Sequence, residues 1–69
     1  MTDKCIEQEV ETIKYFRMRM TTMTGRDVGI EEAGELFTRS YAEKYREIWY
    51  DGISQEDIRI KLFYPGRDR

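Results

Sequence analysis

From Ile30 to Tyr50 the apolar residues recur at spacings of three and four, and this run constrains the fold more than any other feature of the chain. Its stripe is Ile30, Ala33, Phe37, Tyr41, Tyr45 (with Ala42 beside it), Ile48 and Trp49. Such spacing places side chains on one face of an α-helix, because 3.6 residues make a turn. Glu31, Glu32 and Glu35 fall in the first turns, where the helix dipole favours negative charge. Asp51-Gly52 supplies the stop. One long amphipathic helix from Ile30 to Tyr50 is therefore expected. Gly34 interrupts the stripe at a cost of about 1 kcal/mol relative to alanine. A glycine there suggests a close backbone approach, with the Met20–Met23 end of the preceding segment as the expected neighbour.

That preceding segment, Asp3 to Thr24, also has a helical period: Ile6, Val10, Ile13, Phe16 or Arg17, Met20 and Met23. Thr2 or Asp3 can cap its start, and Gly25 stands where a left-handed C-cap belongs. Thr21, Thr22 and Thr24 make its last turn the weakest. Arg26 to Gly29 reads as a connector.

The third segment admits two readings. Ser54 followed by Asp57 resembles a capped helix start, with Ile53 as a staple and Ile58 and Leu62 facing the core. Yet Ile58, Ile60 and Leu62 also alternate with Arg59, Lys61 and Phe63, the period of a strand. Helix is favoured, because a lone strand would have no partner in the rest of the chain. Tyr64-Pro65-Gly66 should end it, since the residue before proline avoids helical dihedrals. The expected fold is all-α: an antiparallel hairpin of two long helices with a short third helix folded across them. Residues 1–69 form a single domain in this reading, with 67–69 a frayed tail.

Sixty-nine residues bury little surface, so the core should supply only about 3–5 kcal/mol. One cysteine and no histidine rule out an intramolecular disulfide and the usual zinc sites. Extra burial would then have to come from self-association or a larger partner. Twelve basic and fourteen acidic residues are interspersed, and no apolar run exceeds three residues. The chain is thus expected to have no basic arm, no membrane span and no hydrophobic leader. A cytoplasmic location, with Cys5 a reduced and structural thiol, is the expectation.

The sequence is poorly equipped for catalysis. Without histidine the commonest general base is absent, along with Ser/His and Cys/His pairs. Carboxylates four apart recur at Glu7/Glu11, Glu31/Glu35 and Glu43/Glu47, with countercharges such as Arg39 and Arg46 nearby, so they read as a solvated helix face. No cofactor, metal or catalytic residue is expected. The turn Asp51–Ser54 before a short helix has the outline of a helix-turn-helix, with Arg17, Arg19, Arg26 and Arg39 as cations for nucleic acid. Glu56 and Asp57 at the reading end of that helix would repel phosphate, as would the net charge of −2. A ribbon-helix-helix strand at Tyr15–Met20 conflicts with the helical period. The favoured function is a non-catalytic protein-interaction module, working as a homodimer or as a regulatory subunit of a larger assembly. Tyr41, Tyr45, Arg46, Trp49, Tyr50 and Met18 are its candidate partner-binding residues, because Tyr, Trp and Arg dominate interface energetics. Tyr15 and Arg19 could extend that patch.

Overall fold

A computed structural model describes residues 3–64. Among these residues the chain forms four helices and no strand: α1 (Asp3–Thr24), α2 (Ile30–Ser40), α3 (Ala42–Ile48) and α4 (Gln55–Phe63). No helix among them is long and apolar enough to cross a membrane. Thr2, Pro65, Gly66 and the expected frayed tail at 67–69 lie outside the described residues.

α1 has the expected bounds, and Gly25 ends it with φ +73° while its N–H donates to Thr21 O at 3.0 Å. The buried face follows the apolar spacing at Phe16, with Ile13 and Met20 packed against the core, and departs from it nearer the N-terminus. Ile6 and Val10 each remain 46% exposed, whereas Cys5, Thr12 and Phe16 are buried. The reason is a polar seam. Gln8 donates from Nε2 to Ile53 O (2.8 Å) and accepts from Trp49 Nε1 (2.7 Å). Gln55 Nε2 donates to Thr12 Oγ1 at 2.7 Å, and Thr12 in turn donates to Gln8 O. Polar side chains satisfied in this way can be buried without penalty. A hydrophobic period does not register them.

The long helix expected over Ile30–Tyr50 is divided in two. Tyr41 adopts φ −128°, ψ −14°, outside the helical basin, between α2 and α3. Its N–H still donates to Phe37 O (2.7 Å), and its carbonyl accepts from Tyr45 N–H (2.8 Å), so the run is bent more than broken. Two causes are visible. Thr38 Oγ1 donates back to Gly34 O at 2.8 Å, a contact that bends helices. The Tyr41 ring also packs edge-on against Phe16 (5.4 Å) and Phe63 (5.0 Å), which a straight helix would have to orient differently.

The helical run also ends earlier than expected, at Ile48. Trp49 is extended (ψ 136°), so Trp49 and Tyr50 do not lie on a helix face. Tyr50–Ile53 form a turn closed by Ile53 N–H to Tyr50 O (3.1 Å), with Gly52 at φ +101°. Segment three is helix: Ser54 Oγ accepts from Asp57 N–H at 3.1 Å, and Ile58, Leu62 and Phe63 are buried.

Gly34 does not mark a close approach, since a Cβ there would meet nothing within 4 Å. The glycine therefore costs helix stability without a packing return. Gly34→Ala should raise the unfolding free energy by about 0.4–1 kcal/mol, read as a higher denaturant midpoint at unchanged slope. A lower midpoint would mean that the bend at Tyr41 requires the glycine.

Candidate interaction surface

The six residues expected to meet a partner are distributed over three environments. Tyr45 belongs to the core. It has no exposed surface, its ring lies 6.3 Å from Phe37, and its hydroxyl donates to Cys5 O at 2.6 Å. Burial, reinforced by the hydrogen bond and charge of Cys5 and by Glu9, pushes the phenol well above its ordinary pKa. Tyr45 therefore offers nothing to a partner in this conformation. Cys5 is itself buried against it, in keeping with a structural role. Tyr41 is half-buried within the cluster of Phe16, Phe37 and Phe63.

The second environment is the end of α3. Arg46 is exposed on that helix. Trp49 is half-buried, and its Nε1 donates to Gln8. Tyr50 is 51% exposed, with Lys61 Nζ 5.4 Å from its ring centre. Arg46 stands on the last turn of α3, and the extended segment that follows, not a helix face, carries the aromatic pair.

The third environment surrounds Met18, which is 60% exposed on α1. It lines an open groove of about 310 Å³ with Tyr15, Arg19, Thr22, Met23 and Tyr64. Tyr50 is not among the lining residues, so Met18 and the α3 end form separate patches. Within the groove, the Tyr15 and Tyr64 hydroxyls lie 3.0 Å apart, and Arg19 donates from an Nη to the Tyr64 hydroxyl. The hydrogen bond to Tyr64, then burial, raises the Tyr15 pKa. Arg19 also stacks over the Tyr64 ring (4.7 Å), and Arg59 stacks over Tyr15 (4.6 Å). Sequence reasoning reached Tyr15 and Arg19 as extensions of the patch. It did not single out Arg59, and it saw Tyr64 only as a helix stop. No local signal could have joined Arg19 to a residue 45 positions away.

The arginines considered for nucleic acid are mostly engaged. Arg17 Nε donates to Val28 O (2.7 Å) and lies 3.7 Å from Asp27, while Arg26 forks onto Glu32. That exposed pair lowers the Glu32 pKa and raises that of Arg26 through their hydrogen bond. Of the carboxylates spaced four apart, Glu11 meets Lys14 at 3.5 Å. No cluster of three or more Cys, Asp or Glu side chains that could hold a metal occurs among the described residues. No protein-family model, curated protein or solved structure matches this chain.

Proposed function

We propose that this chain is a small, cytoplasmic, non-catalytic protein-interaction module that acts as a homodimer or as a regulatory subunit of a larger assembly. The reading adopts the hairpin arrangement of the long segments, with the second one bent at Tyr41 and α4 folded across. One observation carries it: large apolar side chains remain outside a filled core. Met18, Met23 and Tyr50 are 60%, 70% and 51% exposed while Phe37, Tyr45, Ile53 and Ile58 fill the interior. Clustered exposed apolar groups mark contact surfaces more often than single ones do. At the α3 end, Arg46, Trp49 and Tyr50 combine the residue types that anchor interfaces.

Sedimentation or light scattering on the purified chain tests the reading. The expected mass is that of a dimer or larger species. Tyr50→Ala should weaken self-association about tenfold or more, as an interface anchor losing upwards of ~1.4 kcal/mol would. Helical circular dichroism should be unchanged, since Tyr50 lies outside the core. A strict monomer at high concentration removes the homodimer, and an association indifferent to Tyr50→Ala removes this surface.

A further inference from the structure

The groove around Met18 carries positive charge that no carboxylate among the described residues pairs. Arg19 spends one Nη on a phenol oxygen and its faces on Tyr64 and on Phe63 (5.6 Å). A guanidinium has five N–H donors, so most of its hydrogen-bonding capacity is left over. Arg59, over the Tyr15 ring, has a buried Nε with no hydrogen-bond partner among the described residues. Neither guanidinium lies within ion-pairing distance of a carboxylate among those residues, in contrast to Lys14, Arg17 and Arg26. Two half-buried cations thus flank one hydroxyl-linked tyrosine pair in a chain whose net charge is −2. Beside them stand Met18 and Met23, exposed and flexible, of the kind that adapts to apolar side chains.

We infer that this groove receives an acidic peptide segment of a protein partner, whose carboxylate takes the remaining donors of Arg19 while neighbouring apolar side chains cover Met18 and Met23. The inference rests on the reading of the chain as an interaction module and names the partner's chemistry at its Met18 patch. A carboxylate suits one planar guanidinium, which it can meet through two parallel hydrogen bonds. A free phosphate would gain nothing from the two methionines.

Nuclear magnetic resonance titration of the unaltered chain with capped Leu-Glu-Leu, capped Leu-Gln-Leu and inorganic phosphate tests this. The expected result is saturable shifts of the Met18 and Met23 methyls and of the Arg19 Nε–H with Leu-Glu-Leu. Binding of Leu-Gln-Leu should be at least tenfold weaker, and phosphate should leave the methyls in place. Arg19→Gln should lower Leu-Glu-Leu affinity to the same degree, with Arg19→Lys intermediate. The peptide comparison needs no variant, so it stands even if Arg19→Gln unfolds. Equal binding of the two peptides, methyl shifts with phosphate, or no shifts at all would each overturn the inference. A change in the chain's own solution mass on Arg19→Gln would overturn it too, by making a second copy the donor of the carboxylate. Failure here alongside a dimer broken by Tyr50→Ala leaves the broader reading standing. A peptide-binding monomer removes the homodimer and leaves the interaction module and this groove standing.

Discussion

Phe37→Ala is expected to abolish cooperative folding at room temperature. Phe37 has no exposed surface and is the ring about which Phe16 (6.0 Å), Tyr41 (5.9 Å) and Tyr45 (6.3 Å) are arranged. Truncating a buried phenylalanine costs about 3–5 kcal/mol, the lost transfer free energy plus the cavity left behind. A domain of this size has about 3–5 kcal/mol in total, so the single loss is as large as the whole stability. Near-ultraviolet circular dichroism should lose its aromatic signal, and the denaturation curve should lose its native baseline. Ile6→Ala and Val10→Ala provide the contrast: both sites are half-exposed, and surface changes of this kind stay within about 0.5 kcal/mol. If Ile6→Ala proved as damaging as Phe37→Ala, the buried face of α1 would be the one its apolar spacing suggests. A Phe37→Ala protein melting within ~1 kcal/mol of the parent would mean that the core can collapse around the gap.

That contrast also marks what could be read from residues alone. The bounds of α1, the glycine cap at Gly25 and the Ser54 cap of α4 are local devices, each specified by a few neighbouring residues, and they were legible. The core positions Ala33, Phe37 and Tyr45 were legible too, because a buried apolar stripe leaves a period. What lay beyond reach depends on partners far along the chain. Gln8 and Thr12 are polar, so no hydrophobic period reveals that Trp49, Ile53 and Gln55 satisfy them. The bend at Tyr41 shares this origin in part. Its local sequence is compatible with helix, and beside the local Thr38 back-bond it is Phe16 and Phe63, 25 and 22 residues away, that pack on its ring. The candidate surface divides along this line. Arg46 and Tyr50 lie near each other in sequence and stay exposed, whereas Tyr41 and Tyr45 share their chemistry but are drawn inward by the aromatic cluster. The contacts of Arg19 on α1 with Tyr64, and of Arg59 on α4 with Tyr15, arise only through the tertiary fold.

Alkaline destabilisation should begin near pH 10 and be traceable to Tyr45. Its phenol is buried and donates to Cys5 O, while Cys5 and Glu9 on α1 oppose a negative charge there. The folded state therefore holds the Tyr45 proton more tightly than the unfolded chain, where tyrosine titrates near 10. A group whose pKa is raised on folding contributes stability that is fully present below the unfolded value. That contribution is lost as pH rises toward the folded one. Between those limits each pH unit removes about 1.4 kcal/mol, so the loss at pH 11 should be about 1.4 kcal/mol relative to pH 8. Against a total of about 3–5 kcal/mol this is roughly a quarter to a half of the stability. Tyr45→Phe separates the cause. It should cost about 1 kcal/mol at neutral pH through the lost hydrogen bond, and it should flatten most of the alkaline fall. Tyr15, raised by its bond to Tyr64, would account for the remainder, and Tyr15→Phe in the same background should remove it. Urea midpoints at pH 8, 10 and 11 for the three proteins decide the matter. A parent midpoint that does not move by pH 11, or a Tyr45→Phe protein that falls as steeply as the parent, would show that the Tyr45 hydroxyl is not the proton the fold depends on.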